Sequence, residues 1–564
     1  MWRAIKSDRR MLRLLATFWI AVGCGLFVLC GCSPPAVPPA AKNPEQIEPA
    51  AATVATKEAV PSAAEQVEPV PPPMDGPALF AQHCAGCHGD KGDGNSPLAT
   101  FLYPKPRDFR SGRFRLVSTT NGVPSAADLD AVLRRGMPGS SMPPWPKLTD
   151  ADRAALVAVL QTLHRDGMRE LYLAHLREEF GEDDPEVDEQ ELAAFVANKT
   201  TPGELAATPD IAEATDQAIE RGRQIYVKQS CHSCHGAEGK GDGQQAMVDV
   251  EGYPTRARDL TRGIYKGGHD PASVYRRIAF GMPGTPMPSS LNLTSDQIVD
   301  LVHFIRSLSD ETTRRAAELR RERIVAKRVA AISTDDDGIW ESASAVTLRT
   351  TPIWWRDGAD RDLTVAAVHD GKLLAIRLSW PDETENLHAP QPEQFKDLAA
   401  VQLFSGAVEP FLGMGAAKNT LDVWQWRAGM GEDRDADSQL DDYPFDTPTY
   451  RDLAGGQPLP DFIAARAAGN PMTDADRAAW SLAAKGPGSL TFLPRPSQLV
   501  TASAKWKDGR WTVTMARPLA VPPDAGLALA AGKRYSAAFA LWDGAARDRA
   551  GQKAITIWQD LTLE

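Results

Sequence analysis

Two short stretches of the chain carry residue types that can bind a cofactor covalently. Residues 84–88 and residues 231–235 both have the pattern Cys-x-x-Cys-His. In this pattern two thiols add to the vinyl groups of a haem, and the adjoining imidazole coordinates its iron. A zinc site or a redox dithiol is the alternative, but zinc would need further Cys or His ligands at finger or ribbon spacing. The residues predicted to hold two haem c groups are Cys84, Cys87, His88, Cys231, Cys234 and His235.

A loop with two methionines follows each motif at nearly the same distance. Met137 and Met142 follow the first motif, and Met282 and Met287 follow the second. A thioether sulfur is a soft ligand that favours ferrous iron and raises the reduction potential, so each loop offers a candidate axial ligand. The alternative for Met137 is a filler of the apolar core.

The segments around the motifs, residues 76–165 and 216–309, repeat one pattern. Each predicts an opening helix, a glycine-rich loop and a closing amphipathic helix that Thr149 or Thr294 caps. Motifs, loops and helices together resemble class I cytochrome c, a mainly α-helical domain. In that family the axial sulfur usually lies in a Met-Pro pair after a glycine turn. The axial pairs that this resemblance implies are His88 with Met142 and His235 with Met287.

Three further polar residues lie close to the motifs. His83 precedes the first motif and His232 lies between the cysteines of the second, and both are predicted to be exposed. Arg107 follows a proline-rich turn. It would lie either near a haem propionate or in a solvated turn, and the sequence favours neither.

Length and charge limit the class of protein. At 564 residues the chain is too long for one core, so three or four units are expected. The formal net charge of −12 argues against a nucleic-acid binder and allows docking to basic partners. Of the seven cysteines, four lie in the motifs and the others are Cys24, Cys30 and Cys32. No cysteine is left for a disulfide.

The N-terminus has the layout of an export signal. Basic residues precede an apolar run over residues 11–29, and Cys32 then stands in a sequence that resembles a bacterial lipoprotein box. We expect residues 1–32 to be a lipoprotein signal peptide with Cys32 lipidated, and Cys24 is a weaker alternative site. A single transmembrane anchor or plain secretion are the other interpretations. Each of them places the remaining chain on the periplasmic side of a bacterial membrane.

Three segments are interpreted as linkers. Residues 33–75 are rich in Pro, Ala, Glu and Val, which cannot bury enough apolar surface to order a core, so a disordered tether is predicted. Residues 166–215 are charged with a helical pattern and predict a helical connector. Residues 310–331 are basic and predict a second helical connector.

From residue 332 the hydrophobic pattern changes to that of strands. Residues 363–368 and 373–380 flank an Asp-Gly turn, and residues 505–515 predict another hairpin. Further strands are predicted at 535–542 and 553–558. The expected fold is therefore two mainly-α domains followed by an all-β sandwich over residues 332–564.

Sequence landmarks in this region have a recognisable order. They are Trp340, Leu-Ser-Trp-Pro-Asp at 378–382, Gly-Met-Gly at 413–415, Trp-Gln-Trp at 424–426, Leu-Trp-Asp-Gly at 541–544 and Gly-Gln-Lys at 551–553. This order resembles the haem b-binding gamma subunit of ethylbenzene dehydrogenase and of related dimethylsulfide, chlorate and selenate enzymes. Those subunits carry electrons for a periplasmic molybdenum enzyme and hold haem b by a Met and a Lys. The resemblance implies Met414 and Lys553 as iron ligands, with Lys533 second, and residues 427–499 depart from it as an insertion.

An amine binds iron only when it is deprotonated. The ligating lysine must therefore be buried, so that its charged form is disfavoured. The alternative for Lys553 is an ordinary lysine at a strand end.

The pattern as a whole indicates a membrane-tethered electron-transfer protein rather than an enzyme. His/Met and Met/Lys irons have no open position for a substrate, which favours transfer of single electrons among two haem c groups and one haem b. The expected partners are redox proteins, including a molybdopterin oxidoreductase of the DMSO reductase type or a respiratory chain. The alternatives are a dihaem cytochrome with a haem-free β-sandwich for docking or ligand binding, and a dihaem peroxidase.

Overall fold

The computed structural model describes most of the chain beyond the N-terminal segment. The described residues are 75–181, 187–333, 337–356, 358–389, 391–415, 419–431, 470–474 and 477–564. The predicted signal peptide with Cys32, nearly all of the predicted tether and a large part of the 427–499 insertion lie outside these ranges. Within them, no helix combines the length and apolar character that crossing a bilayer requires.

The first helical domain is built from four helices with well-defined N-termini. Ser125 and Thr149 each close a capping box with the aspartate three residues on, which satisfies backbone N–H groups at the helix start. The predicted cap at Thr149 is therefore confirmed. The helices are α1 (Gly76–His83), α2 (Ala85–His88), α3 (Ala126–Arg135) and α4 (Asp150–Phe180). Residues of α1, α3 and α4 share one apolar core.

The second helical domain repeats this arrangement. After α5 (Glu189–Thr200) its elements are α6 (Asp216–Lys228), α7 (His232–His235), β1 (Met247–Val248), β2 (Pro254–Thr255), α8 (Pro271–Phe280) and α9 (Ser295–Ser307). Thr294 caps α9 as predicted. Helices α6 and α9 cross so closely that a Cβ on Gly222 would lie 2.0 Å from the backbone oxygen of Asp300. Only glycine permits that approach.

Of the two predicted helical connectors, residues 166–215 contain the end of α4 and all of α5, whereas residues 310–331 are helical only in part. Helix α4 runs on from the first domain to Phe180 without a break. In the basic segment, only α10 (Glu311–Ala316) is helical, because residues 323–328 form strand β3 (Arg323–Arg328). Its Ile324 and Ala326 are fully buried, while Arg323 is exposed. The apolar residues of this segment therefore alternate with its basic residues, as they do in a strand with one buried face.

In the part that the structure describes, the C-terminal domain forms one large β-sheet of fourteen strands. Its remaining strands are β4 (Val346–Arg349), β5 (Thr351–Pro352), β6 (Asp362–His369), β7 (Leu373–Pro381), β8 (Leu398–Phe404), β9 (Leu421–Arg427), β10 (Ala479–Ala484), β11 (Thr491–Phe492), β12 (Thr501–Trp506), β13 (Arg510–Pro518), β14 (Arg534–Trp542), β15 (Ala554–Ile555) and β16 (Gln559–Leu563). The main order is β11-β10-β9-β8-β14-β16-β3-β6-β7-β13-β12. Strand β3 lies next to the central strand, β16, and pairs in parallel with both β16 and β6.

The two halves of this sheet face each other, so that one continuous sheet makes both layers of the expected sandwich. Trp426 on β9 lies 4.8 Å from Trp511 on β13 between ring centroids, and Trp380 on β7 lies 6.2 Å from Trp426. Arg517 and Asp422 form an ion pair between the layers and are almost fully buried. The predicted helical region followed by a large β domain is confirmed. The part of the 427–499 insertion that the structure describes supplies strands β10 and β11.

One half of the sheet is buried on both of its faces. Strand β9 has six consecutive buried residues rather than alternating ones. Its inward side chains join the sandwich core, whereas Leu421 and Val423 join a second apolar cluster with Trp480, Trp542 and Met414. This second cluster forms one wall of a cavity that the first helical domain closes.

Candidate haem sites

The first motif lies on a tight helical turn that presents its histidine to a cavity. Helix α1 ends at His83 with Cys84 as its C-cap, and the following turn α2 carries Cys87 and His88. The Nδ1 atom of His88 lies 2.9 Å from the carbonyl oxygen of Arg107, and the imidazole stacks on Phe109. When Nδ1–H donates to that carbonyl, the lone pair of Nε2 is free for a metal. Burial lowers the pKa of His88 to about 4, so the neutral form that ligates iron prevails.

The first methionine loop faces the same cavity. The backbone N–H of Met137 donates to the carbonyl of Met142 over 3.0 Å, which closes the loop as a tight turn. Both methionines line the cavity with His88, so the geometry leaves the choice of axial sulfur between them open. None of the four described cysteines is in a disulfide.

The second motif has the same local geometry in a more open setting. Cys231, Cys234 and His235 are half-buried, and Met282 donates to the carbonyl of Met287 over 3.2 Å. The Nδ1 atom of His235 is buried and has no hydrogen-bond partner within the described part of the chain. The imidazole is thus not held by a carbonyl as His88 is.

The candidate ligands in the β domain meet although they lie far apart in sequence. The Nζ atom of Lys553 is 3.7 Å from the Sδ atom of Met414. Lys533, the second candidate, is exposed at the start of β14 and is not among the residues that line the cavity. Of the two lysines, only Lys553 is therefore placed to bind the same metal as Met414.

The loop that carries Met414 adopts an unusual backbone conformation. Met414 has a φ of +84°, in the left-handed region of backbone conformation that residues other than Gly, Asn and Asp rarely adopt. Its carbonyl accepts a hydrogen bond of 2.8 Å from the N–H of Gly486, and Met414 N–H donates to Leu412 over 3.0 Å. Such strain persists only where surrounding contacts impose it, and it concentrates at functional sites.

The surroundings of Lys553 favour a neutral amine. Its Nζ atom lies 4.9 Å from the ring centroid of Trp542, and no carboxylate pairs with it among the described contacts. Burial lowers the pKa of Lys553 to about 8. The free energy needed to deprotonate this amine, so that it can bind a metal, is therefore smaller than for an exposed lysine.

A cavity of about 980 Å³ connects the first motif with the β-domain pair. His88 and Met142 line one part, Met414 and Lys553 line another, and apolar side chains form most of the remaining wall. Pockets for single ligands usually measure about 300–1,000 Å³, so this cavity lies at the upper limit. An apolar space whose wall carries the imidazole of His88, the amine of Lys553 and the thioethers of Met137, Met142 and Met414 fits the haem groups expected from the sequence.

Some residues at this site were not expected. His83 is buried rather than exposed as predicted, because its ring packs against Trp145 at 5.0 Å and lines the cavity. Arg107 also lines the cavity and pairs with Glu251 at 3.1 Å, so it is not in a solvated turn. Arg115 is buried beside it with no hydrogen-bond partner for Nε in the described ranges, and burial lowers its pKa to about 10. A buried cation on the wall suits a carboxylate such as a haem propionate.

Comparison with known proteins supports the division into three functional parts. The cytochrome c family model matches residues 73–164 and 219–309, and the ethylbenzene dehydrogenase family model matches residues 337–554. Both motifs, Met414 and Lys553 lie inside the matched ranges.

Three curated relatives are similar to parts of the chain. A candidate respiratory nitrate reductase heme subunit, ORF7, of Haloferax mediterranei is 26% identical over 44% of this chain and 73% of its own length. The chlorate reductase gamma subunit of Ideonella dechloratans is 29% identical over 36% of this chain and 65% of its own length. The dimethylsulfide dehydrogenase gamma subunit of Rhodovulum sulfidophilum is 26% identical over 35% of this chain and 58% of its own length. The two family resemblances drawn from the sequence are thus confirmed.

Proposed function

The chain joins cytochrome c domains to a domain of the ethylbenzene dehydrogenase family, and on this premise we propose that it is a multihaem electron-transfer protein. It would hold two covalent haem c groups and one non-covalent haem b. The observation that carries the proposal is the approach of Met414 Sδ to Lys553 Nζ at 3.7 Å on the wall of an apolar cavity. Each haem supplies one-electron chemistry, and the chain supplies ligands and a water-poor environment.

The roles of the chain's own residues follow from their chemistry. Cys84, Cys87, Cys231 and Cys234 attach haem c, and His88 and His235 coordinate the iron. Met142 and Met287 are the proposed opposite ligands. Met414 and Lys553 would hold the iron of haem b. A haem whose iron is held by two side chains would supply one-electron transfer and would offer no position at the metal for a substrate.

The proposed partner is a redox enzyme. The relatives are named as a heme subunit and gamma subunits of nitrate reductase, chlorate reductase and dimethylsulfide dehydrogenase. By analogy the chain would exchange electrons with a molybdopterin oxidoreductase or with a respiratory chain.

The proposed location is the periplasmic face of a bacterial membrane, through a lipid on Cys32. Cys32→Ser should move the protein from the membrane fraction to the soluble fraction. A Cys32→Ser protein that stays in the membrane fraction would contradict the lipid anchor.

The first test is a pyridine haemochrome assay before and after acid-acetone extraction, which removes haem b and leaves haem c. The full chain, matured in a host that attaches haem c, should contain two haem c and one extractable haem b. Lys553→Ala should lose the extractable haem and retain both covalent haems. Lys533→Ala is the matched control and should retain all three.

The other outcomes are equally clear. Extractable haem at full stoichiometry in Lys553→Ala would remove Lys553 from the ligand set. Two haem c and no haem b in the wild-type protein, with haem in excess, would leave a dihaem cytochrome with a docking or ligand-binding β domain. Peroxide turnover by the reduced protein would indicate the peroxidase alternative.

A further inference from the structure

We propose that the Met414–Lys553 site exchanges electrons directly with the first Cys-x-x-Cys-His site, and that the second motif exchanges electrons with the first and not with the β domain. In the first exchange a ferrous iron at one site becomes ferric as a ferric iron at the other becomes ferrous. One electron moves, and no proton or covalent bond changes. The inference rests on the proposed function and adds the order of the sites.

The continuous cavity is the first support. Residues of the first motif, its methionine loop and the Met414–Lys553 pair line a single space of about 980 Å³. Of the described residues, Cys231, Cys234, His235 and Met287 are not on its wall. Groups held by the first motif and by the β domain would therefore share one apolar compartment that excludes the second motif.

Direct packing between the two sites is the second support. A Cβ on Gly86, which lies between Cys84 and Cys87, would be 2.9 Å from ring atoms of Phe411. Phe411 precedes Met414 by three residues and also lines the cavity. On another side of the cavity, Phe101 of the first domain would be 2.9 Å from a Cβ on Gly551, two residues before Lys553. The haem-attachment turn thus touches the loop of Met414 through Phe411, and a different segment of the first domain touches the loop of Lys553 through Phe101.

A buried ion network holds this contact in place. Glu409 pairs with Lys147 of the first domain at 2.8 Å and with Arg321 at 2.7 Å, and its carbonyl accepts a hydrogen bond from Gln82 of α1. Arg321 also pairs with Asp560 on β16 at 2.7 Å. Lys147 and Gln82 link this network to the first domain, so the two domains are joined beside the haem-attachment turn.

The second motif is connected to the first rather than to the β-domain site. Arg258 donates to the carbonyl of Gly139, inside the first methionine loop, over 2.6 Å. A Cβ on Gly284, inside the second methionine loop, would lie 3.4 Å from Nη1 of Arg107, whose carbonyl holds His88. The second domain does reach the β domain, through Arg262 and Asp360 at 2.7 Å, but that contact involves none of the candidate ligands.

The test measures distances and transfer in the full-length protein carrying its haems. Pulsed dipolar electron paramagnetic resonance on the fully oxidised protein should show the haem b iron closer to one haem c iron than to the other. A double variant, Cys84→Ser with Cys87→Ser, removes the first haem c, and the matched variant, Cys231→Ser with Cys234→Ser, removes the second. Loss of the closer coupling is expected only in the first-motif variant.

Flash-initiated oxidation of haem b after dithionite reduction gives an independent readout. The second-motif variant should re-reduce haem b from the remaining haem c at a rate within twofold of wild type. The first-motif variant should lose transfer between haem b and haem c. Wild-type transfer in the first-motif variant, or loss of the closer coupling in the second-motif variant, would overturn the order.

Two further outcomes are decided in advance. If the first-motif variant does not fold, the second-motif variant alone decides, because it must keep the closer coupling for the proposal to stand. If the wild-type protein contains two haem c and no extractable haem b, the proposed function fails, and the order fails with it. The haemochrome assay distinguishes that case from a wrong order with all three haems present.

Discussion

The two Cys-x-x-Cys-His sites have one backbone geometry and two different environments. In each, a short helical turn carries the motif, and a methionine loop is closed by a backbone hydrogen bond. The first motif is covered by the β domain, and a carbonyl fixes the imidazole of His88. The second motif is half-buried, and Nδ1 of His235 has no hydrogen-bond partner among described residues.

This difference comes from the neighbouring β domain together with one residue inside the motif. The residue before the second cysteine is Gly86 in the first motif and Ser233 in the second. Gly86 packs against Phe411, whereas the hydroxyl of Ser233 donates to the carbonyl of Ser230 within its own domain. Under the proposed order, the close packing at the first motif serves transfer inside the molecule, and the openness of the second motif leaves it accessible to an outside partner.

The largest effect is expected when the ion network over the first motif loses its shared carboxylate. Glu409 and Arg321 have only 11% and 10% of their side chains exposed. Glu409→Ala leaves Arg321 with Asp560 alone, so the free energy of unfolding should fall by about 3 kcal/mol, at the lower end for breaking a buried pair. Chemical denaturation monitored by haem absorbance and by tryptophan fluorescence measures the change.

The control for Glu409→Ala is Glu251→Ala, which removes the Arg107 pair between the two helical domains. Glu251 is 34% exposed, and solvent screens that pair, so the loss should stay below about 1 kcal/mol. Equal losses in the two variants would show that the β domain does not cover the first site more firmly than the second domain does.

An exchange of the two central motif residues should give an intermediate effect. Gly86→Ser would force its side chain against Phe411, and overpacking of this kind costs about 1–3 kcal/mol. Ser233→Gly removes one exposed hydroxyl and should change stability far less. Unfolding curves and the haem b content of both variants are compared. If Gly86→Ser matches wild type in both, the packing of Phe411 on the first motif is not close.

Acid should weaken the cover of the first motif through the same carboxylate. Burial alone would raise the pKa of Glu409, but its hydrogen bonds and ion pair with Arg321 outweigh burial and hold the pKa below its ordinary value. The folded state thus binds fewer protons than the unfolded state, and stability is lost as pH falls below about 4.3, the ordinary glutamate value.

Glu409→Gln cannot titrate at this position and serves as the reference. Unfolding measured from pH 6 to pH 3 should show a steeper loss in wild type than in Glu409→Gln. Parallel curves would mean that the carboxylate does not contribute to the acid sensitivity of this contact.

The helical domains were largely readable from sequence because their signals are local. The motifs, the caps at Thr149 and Thr294 and the methionine loops all lie within a few residues of the elements they define. Met414 and Lys553 were paired through a family resemblance, since they lie 139 residues apart and no local spacing connects them. The structure then brings them to 3.7 Å.

The contacts between domains could not be predicted in this way. Nothing in the sequence near Gly86 indicates that Phe411 packs on it. The segment Arg323–Arg328 has a basic composition, which hides the buried residues that it contributes to the sheet. His83, just before the motif, was expected to be exposed, and tertiary packing against Trp145 buries it. Long-range packing is decided by surfaces that a linear pattern does not display.

The smallest effect is expected from the exposed member of the ion network. Lys147 is 46% exposed and pairs with Glu409 at 2.8 Å, while Arg321 continues to satisfy that carboxylate. Lys147→Ala should therefore lower the free energy of unfolding by only about 0.5 kcal/mol, as for other partly exposed pairs. The effect should shrink in 1 M salt, where the Debye length is about 3 Å, whereas the loss in Glu409→Ala should persist. A loss of unfolding free energy above about 2 kcal/mol that does not depend on salt would mean that Lys147 belongs to the buried ion network. The cover over the first Cys-x-x-Cys-His site would then depend on the first helical domain as much as on the β domain.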